Sequence, residues 1–480
     1  MNYADDPAIA GSLSFNLVSK SLRKDSRSVH NRLCSIKSDS EFVLAVAKAY
    51  DLPLVANERC GRWYIPPKLI TDSVYFKSTD GHTDNWGFSL RRLNLHIIDL
   101  IKSRSGIIIV DSTRRGKRMP DSLSKTIPIW CAVLNRAVFG SPGDDGRARA
   151  APAGNGAKSV HVPPLAVSSS ERDQIAARVE GWTCEFLKCG IDIARLRSQI
   201  DKPLRPIWVY PDDSLILPPQ KPEYKDFYPI VLCTASRMVL DGAERQSYTY
   251  VQGAADDHEA WASVITPDVF WTNEDVLLNA SDAEVEHLIE QKSLKGLQPS
   301  SSIPTNVLET SPIAQTGVFI GHKTGLLESY DEVDETFRYI VDLSTSPTKM
   351  PAPASADSAR FVFQHPVPDG KRGSKIFRTV LPSILSFLTS SDKTFAVSGS
   401  GAKLLVLCDP GQDFSVGAAM ALLSLFYGED GVVNDQSKMT SARIDKEHVR
   451  RRLTYIILHN RVNPSRATLV SVNSVLMGWD

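Results

Sequence analysis

Residues 403–427 read KLLVLCDPGQDFSVGAAMALLSLFY. Leu404, Leu405, Val406 and Leu407 form an unbroken apolar run, the pattern of a strand buried on both faces. The run ends at Cys408, a short loop carries Gly411, and a helix opens near Ser415. Such a turn aims backbone N–H groups and a helix N-terminus at one point. That is an anion-binding geometry, with phosphate as its commonest guest. Cys408, Gly411, Gln412, Asp413 and Ser415 are therefore candidate phosphate-binding residues. A bare strand–helix joint has the same signature and stands as the alternative.

Outward from this turn the alternation is regular. GVFIG (317–321) leads to a helix-like 328–338 and then to strand YIVDLS (339–344). RFVFQHPV (360–367) leads to a helix over 374–391, the strand of 403–408, and helices over 415–427 and 445–459. Alternating strands and helices predict an α/β fold with a largely parallel sheet flanked by helices. Upstream, helices are expected over 41–50, 88–103 and 171–200. Ile175, Val179, Trp182, Phe186 and Leu187 mark one face of the last. IIIV (107–110) and PIVLCT (229–234) read as buried strands. Gly-, Ala- and Pro-rich 140–159 reads as a surface insertion, and Pro- and Ser-rich 344–358 as a loop insertion. With a weaker break at 293–312, two α/β domains are expected, 1–310 and 311–480. There is no short-period repeat, which argues against a solenoid.

A second strand–loop–helix turn lies at 107–136, IIIVDSTRRGKRMPDSLSKTIPIWCAVLNR. Asp111 ends the strand, and Thr113, Arg114, Arg115, Lys117 and Arg118 crowd the loop around Gly116, with Lys125 beyond. Hydroxyls, a glycine and four cations directly after a buried strand suit a polyphosphate cradle better than a plain solvated face. The loop resembles the diphosphate-ribose loop of common phosphoribosyltransferases, although the second acid of that motif is missing. Ser236 and Arg237 take the same post-strand position after 229–234. Two clusters mix acids with a proton carrier. Lys77, Asp80 and His82 fall in KSTDGH, and Asp256, Asp257 and His258 fall in DDHE. Asp80, His82, Asp257 and His258 are candidates to take or orient a hydroxyl proton. Lys77 is a candidate phosphate ligand, and Asp256 a candidate ligand for Mg²⁺, which favours a few carboxylates plus substrate phosphate. An Asp–Gly turn and a helix N-terminal turn explain the two clusters equally well.

The chain has 480 residues with 55 Lys+Arg and 55 Asp+Glu, so its formal net charge is zero. A uniformly basic nucleic-acid coat is excluded, and any RNA contact needs a clustered face. Arg91, Arg92, Arg443, Lys446, Arg450, Arg451, Arg452 and Arg461 are candidates for one. The seven cysteines form no CxxC pair, which fits free thiols in a reducing compartment and a cytoplasmic protein. Cys184 and Cys189 read as core thiols. No secretory signal opens the sequence, and no apolar run is long enough to span a membrane.

Two resemblances follow. GVFIGH, YIVDLS, RFVFQHPVPD, the 408–415 loop and HNRVNPSRATL follow the order of a dual-specificity phosphatase, a cysteine-phosphatase-like fold. In that family an Arg stands six residues after the cysteine, where this chain has Phe414, and Asp369 matches the general acid. The resemblance therefore implies a loop that binds phosphate without hydrolysing it. Most of the chain is also similar to the initiator-tRNA 2′-O-ribosyl phosphate transferases of fungi and plants. The carriers are CGRWY (60–64), YFKSTDGH (75–82), WGFSLRRLNLH (86–96) and VDSTRRGK (110–117). SKTIPIW (124–130), TASR (234–237), YVQGAADDHE (250–259) and NPSRATL (463–469) complete them.

That resemblance implies transfer of ribosyl 5-phosphate from phosphoribosyl pyrophosphate to the 2′-hydroxyl of adenosine 64 in initiator methionine tRNA, excluding it from elongation. It also implies Mg²⁺ with the donor, no membrane partner and a monomer. The alternative is a phosphatase-fold protein that binds phosphate or RNA without transferase activity.

Overall fold

Five parallel strands carry the first half of the chain. In the computed structural model these are β1 (Leu54–Asn57), β2 (Ile70–Val74), β3 (Ile107–Asp111), β4 (Leu204–Val209) and β5 (Tyr228–Thr234). Their order is β2-β1-β3-β5-β4, and every pairing is parallel. A short antiparallel pair, β6 (Ala243–Arg245) and β7 (Thr249–Val251), follows. The structure describes residues 26–78, 86–114, 116–140, 160–189, 191–212, 215–239, 243–245, 247–262, 264–296, 308–323, 327–346, 348–350, 360–389, 403–428, 444–460 and 462–478. The chain divides into two units. The first comprises 1–88, 94–187 and 192–301, and the second 89–93, 188–191 and 302–480.

In the first unit, helix α1 (Val29–Tyr50) starts where the Ser28 side chain accepts from the Asn31 N–H and stops at Asp51, which is left-handed with φ 49°. It is longer than the expected 41–50 because its buried residues Leu33, Ile36, Val43 and Val46 repeat at helical spacing from the outset. They pack with Ile108, Val110, Val231 and Cys233 of the sheet. The expected helix over 88–103 is broken. Asn94 is left-handed (φ 50°), a 3₁₀ turn covers Leu95–Ile97, and α2 covers Ile98–Arg104 only. A π-helical turn, Ser122–Thr126, feeds α3 (Ile127–Phe139), which is buried along nearly its whole length. The expected helix over 171–200 is two. These are α4 (Ser169–Leu187) and α5 (Ile193–Gln199), the latter capped by Asp192, whose side chain accepts from Arg195 N. Ile175, Val179 and Phe186 are buried as expected, but Leu187 is exposed. Cys189 is buried, whereas Cys184 is exposed rather than a core thiol, and both are free.

The second unit repeats the layer principle. Its strands are β8 (Leu308–Pro312), β9 (Val318–Lys323), β10 (Phe337–Asp342), β11 (Phe361–Gln364) and β12 (Lys403–Leu407). They run in the order β11-β10-β12-β9-β8, parallel except for edge strand β8. Four helices pack with this sheet: α6 (Gly370–Thr389), α7 (Phe414–Phe426), α8 (Lys446–His459) and α9 (Arg466–Met477). The expected α/β class with a largely parallel sheet is thus present in both units. The helix expected over 328–338 is a single 3₁₀ turn, Tyr330–Glu332. Among the described residues no helix is long and apolar enough to cross a membrane. Of the two expected insertions, 141–159, Pro347 and 351–358 lie outside the described residues.

Candidate functional site

The chain leaves β1 for edge strand β2, then crosses back past β1 to β3 and continues outward to β4 and β5. The direction of winding therefore reverses between β1 and β3. In an open parallel sheet the crevice beyond the carboxyl ends of such strands is where ligands bind. Asn57, Asp111 and Thr234 close β1, β3 and β5 at that edge.

Asp111 is fully buried and accepts from five sides. Asn57 Nδ2 (2.7 Å), Arg59 Nε (3.4 Å) and the Ser122 hydroxyl reach Oδ2, while Cys60 Sγ (3.0 Å) and Ser112 N (2.9 Å) reach Oδ1. A carboxylate offers about four lone-pair sites. Asp111, expected to help hold phosphate, is thus saturated by protein and serves as a hub that ties β1, β3 and the π-turn together. Beside it, Ser112 Oγ donates to Ser236 Oγ (2.9 Å), which donates to Thr113 O (2.9 Å). The post-strand residues after β3 and β5 are therefore one bonded unit.

The segment after β7 closes over this edge. Tyr250 OH donates to Asp39 Oδ1 (2.8 Å) and accepts from Arg237 N (2.8 Å), with the Arg237 guanidinium over its ring. Gln252 Nε2 donates to Lys117 O (2.7 Å) and pins the basic loop. Gly253 has φ +62°, and a Cβ there would lie 2.5 Å from Thr113 O and 2.7 Å from Arg114 N. Asp256 pairs with Arg59 and, at 3.5 Å, with Arg114. Burial pushes its carboxyl up, against the pull of Arg59 and Arg114. Asp257 takes Arg32 Nη1 at 2.7 Å. His258 donates from Nδ1 to Ala255 O (3.1 Å) and lies against Trp63.

The structure therefore brings Asp111, Thr113, Arg114, Ser236, Arg237, Asp256, Asp257 and His258 to one end of one sheet. Arg118 points elsewhere, to Tyr210 OH (3.2 Å) and Asp212 (3.6 Å). Lys125 binds Glu171 (2.8 Å) and Asp121 (3.5 Å). Burial alone would lower the Lys125 ammonium, but these acids prevail and raise it. Lys77 is exposed, and its carbonyl accepts from Thr126 Oγ1 (2.9 Å). Asp80, His82 and Arg115 lie outside the described residues. Asn57, Arg59, Asp39 and Tyr250 were not legible as site residues from sequence, yet they hold the site together.

Asp39 makes a measurable prediction. Burial pushes its carboxyl well above the usual carboxylate range, against the Tyr250 hydrogen bond and the Arg237 charge. A raised carboxyl favours the folded state at low pH. That contribution is complete below the ordinary value of about 3.9 and is lost as pH rises through the folded value. Asp39→Asn keeps an acceptor for Tyr250 and removes the titration. Denaturant midpoints measured from pH 4 to 8 are expected to fall less steeply in the variant than in the wild type. An equal slope would show that Asp39 does not titrate with folding.

At the C-terminal end of β12, Gly411 has φ +62° and Cys408 Sγ donates to Ser415 Oγ (3.1 Å). Burial raises the Cys408 thiol, and hydrogen bonds from Ser415 and the loop backbone only offset it. A nucleophilic cysteine needs the opposite shift. Phe414, in the arginine position, is buried against Phe377 with ring centroids 5.2 Å apart. Asp413 Oδ1 accepts from Ser465 N (2.8 Å) and from the Thr468 hydroxyl, anchoring the start of α9. Asp409 holds Thr345 through N (3.0 Å) and Oγ1 (2.7 Å), and Gln412 is exposed. Asp369 is raised by burial and then by Asp409 and Asp413. The backbone turn expected for phosphate is present, but its charged side chains are carboxylates.

Cys408→Ser is accordingly expected to leave the activity of the protein within about twofold and to cost at most about 1–2 kcal/mol of stability. Loss of activity with an unchanged melting profile would assign the thiol a chemical role.

Among the candidate RNA contacts, Arg91 and Arg450 are exposed, and Arg92 and Arg451 partly so. Arg450 pairs with Glu447 at 3.1 Å. Arg452 is buried instead, donating to the carbonyls of Gly428 (2.7 Å) and Tyr427. Arg443 and Arg461 lie outside the described residues.

Comparison with known proteins places this geometry. Residues 22–293 match the family model described as the Rit1 N-terminal domain, and residues 361–476 the one described as the Rit1 DUSP-like domain. An uncharacterised protein of Schizosaccharomyces pombe is 37% identical over 93% of this chain and 94% of its own length. The tRNA A64-2′-O-ribosylphosphate transferase of Saccharomyces cerevisiae is 33% identical over 97% of this chain and 95% of its own. The sheet edge carrying Asp111 and Asp256 falls inside the first matched region and the Cys408 turn inside the second, and the chain belongs to the Rit1 family.

Proposed function

We propose that this protein is a tRNA-modifying transferase that moves ribosyl 5-phosphate from phosphoribosyl pyrophosphate to the 2′-hydroxyl of adenosine 64 in initiator methionine tRNA. The observation that carries this reading is the end-to-end likeness to the Saccharomyces cerevisiae tRNA A64-2′-O-ribosylphosphate transferase, 33% identical over 97% of this chain. The sheet-edge site supports it. Departure of pyrophosphate from the ribose leaves an oxocarbenium-like centre, so the protein must hold a diphosphate and orient one hydroxyl. Thr113, Arg114 and the Ser236–Arg237 turn supply hydroxyl and guanidinium donors beside the reversal of the sheet.

Asp256 is already engaged by two guanidinium groups, so it does not suit a protein-held metal. Among the described residues no three His, Cys, Asp or Glu side chains gather as a metal-ligand set. Mg²⁺ is assigned to the donor's phosphates, where it neutralises the leaving group. Of the two described base candidates, Asp257 is held by Arg32. His258 has Nδ1 committed to a carbonyl, which leaves Nε2 as the proton acceptor of that ring. We assign the hydroxyl proton to His258 on that ground.

The test is a transfer assay with labelled phosphoribosyl pyrophosphate, Mg²⁺ and either initiator or elongator methionine tRNA. Label on the initiator alone is expected. Label on both, or on neither with the donor intact, would overturn the reading.

A further inference from the structure

Arg59 follows β1 by two residues and stands at the reversal of the sheet. Three of its contacts fix it: Nε to Asp111 Oδ2 (3.4 Å), Nη2 to Ser112 O (2.6 Å), and Nη1 to Asp256 Oδ1. Arg114 approaches the same carboxylate from its other oxygen, with Nε 3.5 Å from Oδ2. The Asp256 side chain is only 5% exposed, that of Arg59 19% and that of Arg114 66%. Two guanidinium groups are thus held one carboxylate's width apart, one fixed in the interior and one open to solvent. Between them in sequence lies Thr113, itself 1% exposed, whose Oγ1 is buried without a hydrogen-bond partner. A buried hydroxyl left unpaired is costly unless a ligand supplies its partner.

We propose that Arg59 and Arg114 form a two-guanidinium clamp for a diphosphate, with Thr113 Oγ1 as a third donor and Asp256 as the carboxylate that spaces them. The assignment of that diphosphate to the donor rests on the transferase reading above, and Arg59 is the residue it adds. Within the clamp two guanidinium groups face two carboxylates, Asp111 and Asp256, so these four described groups are balanced in charge. A bare polyanion gains little there. A diphosphate carrying Mg²⁺ brings its own neutralisation and uses the fork geometry of both arginines. Because Asp256 fills the space between the two groups, a ligand must grip them from outside that carboxylate, and two linked phosphoryl groups reach across it where one does not. The clamp therefore selects diphosphate over monophosphate.

Calorimetric titration of the full-length protein with magnesium pyrophosphate and with orthophosphate tests this. Arg59→Lys keeps the charge but loses the fork, and Arg114→Gln alters an exposed side chain. Each is expected to weaken pyrophosphate binding roughly tenfold or more, and orthophosphate by much less. The double variant is expected to lose less than the product of the two single losses, because both residues grip one ligand. Wild-type pyrophosphate affinity in either folded variant, or losses that multiply without coupling, would overturn the clamp. If Arg59→Lys fails to fold, the preference of Arg114→Gln for pyrophosphate over orthophosphate decides: retained, the clamp is wrong. Pyrophosphate binding with these losses but no transfer to any tRNA would defeat the transferase reading and leave the clamp. Transfer with unaltered pyrophosphate binding in the variants would do the reverse.

Discussion

Asp111→Ala is expected to destabilise the first unit by on the order of 3–5 kcal/mol, a large fraction of the roughly 5–15 kcal/mol that holds an ordinary protein folded. The carboxylate is fully buried and ion-paired to Arg59. Removing it takes from that guanidinium, whose side chain is 19% exposed, one of its two carboxylate partners, and takes from Asn57 Nδ2, Ser122 Oγ and Ser112 N a buried acceptor. An unpaired buried donor costs about 1–3 kcal/mol, although neighbours share part of that loss. Asp111→Asn keeps the volume and one acceptor oxygen, and its cost is expected to be smaller. Urea titration followed by far-ultraviolet circular dichroism measures both. A wild-type midpoint for Asp111→Ala would show that the five contacts do not hold the edge of the sheet.

Gly253→Ala is expected to reduce transfer activity by roughly a hundredfold or more, the cost of a misplacement near 1 Å at a reacting centre. Two constraints meet at this glycine. Its φ of +62° is strained for any residue with a Cβ. A Cβ would also lie 2.5–2.7 Å from the backbone of Thr113 and Arg114, which cannot yield as a side-chain end can. The segment carrying Tyr250, Gln252, Asp256 and His258 would have to lift from the loop carrying Thr113 and Arg114. The core beneath, formed by residues such as Val110, Val231 and Phe270, is not touched, so the variant is expected to remain folded. Steady-state kinetics with a melting curve as control checks this. Wild-type kcat/KM would mean that the close approach does not position the site.

The sheet of the second unit was legible because its central strand is a continuous apolar run that ends in a glycine-bearing turn. In the first unit, IIIV and PIVLCT gave β3 and β5 for the same reason. The misreadings share one cause. Leu327, Tyr330 and Val333 recur every three residues like a helix face, but they fill a small cluster around a 3₁₀ turn. Leu90, Leu93, Ile97 and Ile101 are all buried at helical spacing, yet Asn94 is left-handed and breaks the helix between them. Periodicity reports which residues face inward and does not report a local break in φ.

The same limit applies to the site. The basic loop after β3 announced itself through charge and glycine. Arg59 follows a four-residue strand with no loop signature, and Asp39 lies between two serines on an otherwise ordinary helix. Their importance comes from partners more than fifty residues away in the chain, Asp111 at 52 and Tyr250 at 211. The Cys408 turn shows the converse. Its backbone geometry was legible, while its meaning turned on Phe414, Asp409 and Asp413, which fill the arginine position with a core ring and surround the turn with acids.

The most direct measurement uses two initiator methionine tRNAs that differ by one oxygen: one with adenosine at position 64, the other with 2′-deoxyadenosine there. Each is incubated with the protein, Mg²⁺ and phosphoribosyl pyrophosphate, and the tRNA is weighed by mass spectrometry. The account predicts one added ribosyl phosphate on the first tRNA and none on the second. Equal addition to both, or none to either while the donor persists, would contradict it.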